Sequence, residues 1–283
     1  MNSKFYGGFM YKKRLLKLSV IAALCALSIA GCGKKDTNNV ENNNLTISVA
    51  PTQEVQREEP SLNKEAKKLI QFADLEKGDL IAEIIVKDYG TMKLRLFPEQ
   101  APKAVENFVT HAKDGYYDNL TFHRILEEFM IQGGDPEGTG TGGESIWETP
   151  FEDEFSDDLY PFRGALCMAN SGSNTNGSQF FVVQSDETEV KRLSDLVLEK
   201  YKLSMIDYVQ KGYATTITQE ELDSFLTYGG TPWLTRHHTV FGQLIEGFDV
   251  LDAIATAKLA DPSGMPATPV VIETVQISEY QGE

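Results

Sequence analysis

Only three cysteines occur in the 283 residues, Cys25, Cys32 and Cys167. They cannot build a disulfide framework, so the fold must be held by a packed core. Basic residues are also scarce: 26 Lys and Arg stand against 42 Asp and Glu, a formal net charge of −16. Nucleic acid and anionic lipid, whose phosphates attract Lys and Arg, are excluded as natural partners on that balance. Histidine appears four times, never in an H-E-x-x-H or comparable ligand spacing, and the adjacent His237 and His238 are badly placed to chelate from a strand. No metal and no cofactor are expected. The G-x-S-x-G elbow of serine hydrolases is missing. Cys167 lies in an apolar run, where a thiol is usually inert packing.

Long hydrophobic runs are missing too. The uncharged stretch Leu18 to Ala30 has 13 residues, short of the ~20 that a membrane-crossing helix needs. It follows five basic residues (Lys4, Lys12, Lys13, Arg14, Lys17) and no acid occurs in residues 1–31, the pattern of a secretory signal. The stretch ends Ile29-Ala30-Gly31-Cys32, which resembles a bacterial lipobox. Small side chains there admit a peptidase, and the thiol receives diacylglycerol. The reading is a signal over 1–31, starting at Met1 or Met10, with lipid on Cys32 anchoring the chain to the cell membrane from the extracytoplasmic side. Residues 32–62 are rich in Asn, Glu, Thr and Gln and read as a solvated tether. Loss of the leader leaves 21 basic residues against 42 acidic ones, a net charge of −21, which fits a domain standing clear of lipid head groups.

Residues 63–283 are long enough to bury a core. A leading helix is expected over Asn63–Leu75, with Ala66, Leu69, Ile70 and Ala73 on one face. Leu80–Lys87 and Thr91–Leu96 read as a hairpin about Asp88-Tyr-Gly90. Ala101–Asp114 shows a helical apolar face closed by Gly115. Strands are expected at Thr121–Ile125, Phe129–Gln132, Ala165–Ala169, Gln179–Val183, Val240–Ile245 and Val270–Ser278, with a helix near Phe248–Ala257. Many short strands, two principal helices and no βαβ rhythm give a mainly β fold, a closed antiparallel barrel.

Three segments concentrate chemistry among these strands. They are Phe122-His-Arg-Ile with Phe129-Met-Ile-Gln-Gly-Gly-Asp135, then Met168-Ala-Asn-Ser-Gly-Ser-Asn-Thr-Asn-Gly-Ser-Gln-Phe-Phe181, then Trp233-Leu234 and His238 ahead of Thr239-Val-Phe-Gly242. In this order they resemble the signatures of the cyclophilins, the peptidyl-prolyl cis-trans isomerases, from Leu80 to Ser278. The resemblance implies an eight-stranded antiparallel barrel capped by helices and catalysed rotation about X-Pro bonds. It implies proline-containing unfolded or secreted polypeptides as partners, and protein folding as the setting.

The residue types suit that chemistry. Rotation about an amide crosses a barrier of about 18–20 kcal/mol, set by lost resonance. As the amide twists, its nitrogen regains a lone pair, so a cationic donor facing it favours only the twisted state. Arg124 is the candidate, permanently charged and rigidly forked; strand alternation puts Phe122 beside it and His123 and Ile125 on the other face. The resemblance places Phe129, Met130, Phe181, Leu234 and His238 around an apolar slot for the proline ring. It also implies that Gln132 and Gln179 orient the arginine and the substrate backbone, that Ala169 and Asn170 form the edge along which substrate lies, and that Trp233 is the rim residue associated with the drug cyclosporin, a candidate ligand.

Two departures stand out. The family's Asp-Gly-Lys turn before the histidine is replaced by Thr235-Arg236-His237, losing a glycine suited to positive φ; His237 and His238 then compete as the pocket histidine, with spacing favouring His238. Residues 185–231 are an insertion, read as a helical hairpin: one helix carries Leu193 to Val209 and ends at Gly212, and a second starts at the capping box Thr218-x-x-Glu221 and runs to Gly229. A lid, a partner-binding surface and a packed excursion all remain open for it. Gly138-Thr-Gly140-Thr-Gly-Gly143 mimics a dinucleotide fingerprint, but Pro150 and acidic residues follow where a helix would be required, so it reads as a mobile loop bordering the groove. Two rival functions are a non-catalytic chaperone or scaffold of the same fold that grips proline segments, and a lipid-anchored solute-binding protein. The second demands two α/β lobes, of which the sequence shows no pattern.

Overall fold

Alternating aliphatic and charged residues pair Leu80–Val86 (β1) with Gly90–Leu96 (β2) in antiparallel register, Ala82 opposite Leu94 and Ile84 opposite Met92. Asp88 and Gly90 turn the chain at φ 64° and 127°. The computed structural model describes residues 69–282; the signal segment 1–31, Cys32, the tether 32–62 and residues 63–68 lie outside them. The further elements are α1 (Pro102–Lys113), β3 (Arg124–Leu126), β4 (Met130–Gly133), β5 (Ala165–Met168) and β6 (Phe180–Val183). Then come α2 (Glu187–Tyr201), α3 (Met205–Tyr213), α4 (Gln219–Tyr228), β7 (Val240–Glu246), α5 (Phe248–Ala255) and β8 (Ile272–Glu279). All eight strands join one antiparallel sheet in the order β3-β4-β6-β5-β7-β2-β1-β8, the mainly β architecture expected.

The sheet curls, but no strand ladder joins its edges β3 and β8. The chain just ahead of β3 bridges the seam instead: Asn119 N–H donates to Ile272 O at 2.8 Å and Phe122 N–H to Val270 O at 2.9 Å. Residues 121–123 are therefore irregular, and the alternation expected from Thr121 begins only at Arg124. Phe122 goes into the inner core together with Ile125, not to the side of Arg124.

Side chains alternate across a strand, so the sheet has two apolar faces. The inner face carries Leu94, Phe122, Ile125, Ile131, Leu166, Phe180 and Val182. The buried sides of α1 and α5 close it, with Phe108 at 5.4 Å from the rings of both Phe180 and Phe241. Helix α1 begins with Pro102 and lacks a local side-chain cap. Glu154 supplies one from a distance, accepting from the N–H groups of Lys103 and Ala104 at 3.1 and 2.9 Å, where the helix dipole favours a carboxylate. The outer face carries Met130, Ala165, Cys167, Phe181 and Val183, packed with Val197, Met205, Val209 and Leu222 from the insertion.

The insertion forms three helices rather than the expected two. Lys202 turns left-handed at φ 57° and Ser204 caps α3, its Oγ accepting from Asp207 N–H at 3.0 Å, so local capping divides what apolar spacing reads as one helix. The capping box is present, with Glu221 N–H to Thr218 Oγ1 at 3.1 Å and Thr218 N–H to Glu221 Oε2 at 2.6 Å. The leading helix, in its described part, is a single 3-10 turn at Ile70–Phe72 flanked by extended Leu69 and Ala73. Gln71 overrides helix propensity there: it is buried, accepts from Tyr160 N–H at 2.8 Å and donates to Gln243 Oε1 at 2.9 Å. Among the described residues no helix is long and apolar enough to cross a membrane.

Candidate active site

Antiparallel registers line up one row on the outer face: Arg124 opposite Gln132, Gln132 opposite Phe181, Phe181 opposite Cys167. Directly opposed residues share a face and touch, so the sheet itself delivers Arg124 to the aromatic wall. A relay of hydrogen bonds orients it. Arg124 Nη1 donates to Gln132 Oε1 at 3.3 Å, Gln132 Nε2 to Gln179 Oε1 at 2.9 Å, and Gln179 Nε2 to Gly142 O at 2.7 Å. Each amide spends its acceptor on the previous donor and its donor on the next acceptor, which leaves one consistent orientation for both glutamines. From the far side, Ile125 N–H donates to Gly264 O at 2.7 Å. A Cβ on Gly264 would lie 2.8 Å from Ile125 O and 3.2 Å from Arg124 Cγ, so this glycine, at φ 103°, lets its loop close against the β3 backbone beside Arg124.

Phe129, Met130 and Phe181, all buried, share one apolar cluster, with Leu234 and Ala169 packed against it. His238 stands edge-on to Phe181 with centroids 5.1 Å apart. Burial first of all pushes the His238 imidazole down to about 4, so it is neutral at physiological pH. Its Nδ1 lies 3.0 Å from Met168 O; the carbonyl can only accept, so Nδ1 carries the proton and Nε2 is left as an acceptor. His237 is directed elsewhere, its Nε2 at 2.6 Å from Tyr213 O, which decides the contest in favour of His238. Asn170 Nδ2 donates to His237 O at 3.0 Å. Among the described residues the backbone of Asn170 pairs with no other backbone group, leaving that edge open to an extended peptide.

Three placements differ from expectation. Trp233 is 6 % exposed, and its indole nitrogen is buried without a partner. It lies between Phe129 at 6.1 Å and Tyr213 of α3 at 6.4 Å, beneath the rim rather than on it, because the insertion covers it. Arg236 adopts the positive φ, 57°, for which the sequence offers no glycine. The glycine run is no loose border: the Asp135 carboxylate accepts from the backbone N–H groups of Glu137, Thr139, Gly140 and Gly142 and from Thr139 Oγ1. Burial raises the Asp135 carboxyl, but these donors outweigh it and hold the group below its ordinary range. Asp135 thereby sets the loop whose Gly142 carbonyl ends the glutamine relay. Sequence reasoning missed this role, although an aspartate followed by closely spaced glycines is the available signal.

The outer face thus brings a cation, hydrogen-bonded to Gln132, into the same sheet row as Phe181, beside a peptide edge at Asn170 that no other backbone group pairs among the described residues. Among the described residues no three or more His, Cys, Asp or Glu gather as metal ligands. The profile of the family "Cyclophilin type peptidyl-prolyl cis-trans isomerase/CLD" matches residues 81–277. The chain is 48 % identical over 202 residues to a protein of Staphylococcus saprophyticus, covering 71 % of this chain and 94 % of the relative. It is 47 % identical over 220 residues to one of Staphylococcus aureus, covering 78 % and 98 %. Both names assign those proteins provisionally as peptidyl-prolyl cis-trans isomerases. A crystal structure of a Cryptosporidium parvum cyclophilin type isomerase superposes with TM-score 0.53 at 33 % identity, covering 71 % of this chain and 98 % of that one. A second structure of it, in the presence of the dipeptide Ala-Pro, gives 0.52 at 33 % identity, covering 70 % and 98 %. With a family match spanning most of the chain, relatives near half identity and the same curled sheet, the protein belongs to the cyclophilin-type peptidyl-prolyl cis-trans isomerases.

Proposed function

We propose that Arg124 is the catalytic residue and that the slot of Phe129, Met130, Phe181, Leu234 and His238 takes the proline ring of an extended polypeptide. The observation that carries this is the relay Arg124–Gln132–Gln179–Gly142 laid across the apolar wall. A planar X-Pro amide has its nitrogen lone pair tied up in resonance, so a donor facing it gains little; a twisted amide frees the pair, and the guanidinium then donates to it. No bond is made or broken, and no proton is transferred. Each ~1.4 kcal/mol of preference for the twisted state gives a tenfold rate. The apolar residues hold the ring without competing for hydrogen bonds, while the Asn170 edge aligns the chain on either side of it. The solved relative studied with Ala-Pro supports proline-containing peptides as ligands.

Arg124→Ala should lower kcat/KM on a proline tetrapeptide about 100- to 1,000-fold, the usual cost of one preorganised donor, with an unchanged circular dichroism spectrum; undiminished turnover would remove Arg124 from its role. Peptide affinity without any acceleration in the native protein would mark it as a binding scaffold. Cyclosporin titrated into the same assay tests the macrocycle as a ligand.

The proposed setting is extracytoplasmic folding of secreted polypeptides, with lipid on Cys32 as the anchor. Its support is the basic, acid-free leader, the 13-residue apolar stretch and Ile29-Ala30-Gly31-Cys32. Cys32→Ser should move the protein from the membrane to the soluble fraction; unaltered fractionation would end the lipid-anchor reading.

A further inference from the structure

The insertion begins against the proline pocket and closes on itself where it ends. At its entry, Gln184 and Ser185 donate backbone N–H groups to Phe129 O at 2.8 and 3.2 Å. Gln184 Oε1 accepts from Glu128 N–H at 2.7 Å, which holds the turn ahead of Phe129 at a φ of 66°. Arg192 on α2 reaches the same turn, 3.6 Å from Glu128. At its exit, Gly230 N–H returns to Ser185 O at 2.9 Å, closing the base of the insertion.

Between these ends, the segment after α3 is laid along the chain that carries Trp233 and His238. Thr215 Oγ1 donates to Thr235 O at 2.8 Å, and Tyr213 O meets His237 Nε2 at 2.6 Å. Arg236, itself exposed, joins the two through the most partners. It donates to Thr216 O at 3.2 Å, to Glu221 at 3.0 Å and to Asp157 at 2.9 Å. The Glu221 side chain is only 11 % exposed and is itself fixed by the capping box of α4. A left-handed conformation is unfavourable for a non-glycine residue; Arg236 adopts it at φ 57° with three partners holding its side chain. A lid would have to break this set of bonds with every turnover.

We propose that the insertion is a strut for the proline pocket and that Arg236 is the positioning residue coupling it to Trp233 and His238. Arg236 acts through the chain it shares with Trp233 and His238, setting the path on which the slot's outer wall is built. The inference rests on the pocket assignment made above and adds a specific residue and a specific structural cause to it.

The chain has two tryptophans, and Trp147 is 39 % exposed, with its ring edge-on to Phe151. Full-length protein in detergent, with Trp147→Phe, therefore reports on Trp233 alone. In that background Arg236→Ala should raise acrylamide quenching of Trp233 about threefold and KM for a proline tetrapeptide about fivefold, with kcat within about twofold, since ground-state holding is lost while Arg124 is untouched. Arg236→Gly should behave alike, because glycine accepts the backbone conformation but brings none of the ion pairs. Glu221→Gln should move both readouts in the same direction, and its combination with Arg236→Ala should be no worse than Arg236→Ala alone, as for two ends of one interaction. Wild-type quenching and KM in both Arg236→Ala and Glu221→Gln would overturn the strut. Full turnover in Arg124→Ala would instead sink the pocket assignment, and the Trp233 quenching would still read the strut independently.

Discussion

The two faces of one sheet do different work in this isomerase. The inner face is closed on itself: Phe108, Phe122, Phe180 and Phe241 meet edge-on or tilted beneath α1 and α5, with all four fully buried. The outer face is divided. One part is sealed by the insertion, and the other keeps Arg124, Gln132 and Gln179 partly exposed along the cleft. Inner residues contribute apolar area and contacts, so their removal is a matter of stability. Cleft residues, with Arg124 as the proposed catalytic donor, contribute oriented hydrogen bonds, so their removal should be a matter of rate.

That contrast is tested hardest in the inner core, where the expected effect is greatest. Phe108→Ala should cost about 3–5 kcal/mol of stability, measured by urea unfolding, while kcat/KM per folded molecule stays near native; a selective loss of rate would show that the faces are coupled. Gln132→Ala should act oppositely, lowering kcat/KM about tenfold, ~1.4 kcal/mol, with a melting temperature little changed, because Arg124 loses the acceptor that orients it. An unaffected rate there would make the relay ornamental.

The smallest effect concerns His238, on the boundary between the two kinds of residue. Its folded value of about 4 lies below the ordinary ~6.5 of an unfolded histidine, so the unfolded chain binds more protons between these values. Stability should thus rise with pH across that window, be fully present above it, and fall on acidification by on the order of 1 kcal/mol, since the half-buried ring retains some solvation. Relative to His238→Gln, which cancels the contributions of Asp135 and Glu189, native protein should show the steeper loss between pH 6.5 and 4. Equal slopes would mean that His238 is not desolvated.

Much of this was legible in advance for a local reason. Strands β1 and β2 alternate with period two, Ala101–Asp114 carries a 3.6-residue apolar stripe, and Thr218 with Glu221 caps a helix without outside help. The slot residues were recognisable because Phe129-Met-Ile-Gln and Gln179-Phe-Phe keep their order on neighbouring strands. What escaped depends on partners far along the chain. Gln71 abandons a helical pattern for Tyr160 and Gln243. Phe122 leaves the side of Arg124 because Val270 captures its N–H. Arg236 takes a glycine's conformation with Glu221, Asp157 and Thr216 holding its side chain from three separate segments.

The sequence by itself determined the family and with it the reaction: three segments in the cyclophilin order carry the guanidinium, the two amides and the aromatic residues proposed for the pocket. Only the tertiary structure decided how that pocket is bounded. Burying Trp233 under α3, gathering the glycine run on Asp135 and seating the insertion against Phe129 and Arg236 are each outcomes of long-range hydrogen bonds and packing, whose partners no local pattern names.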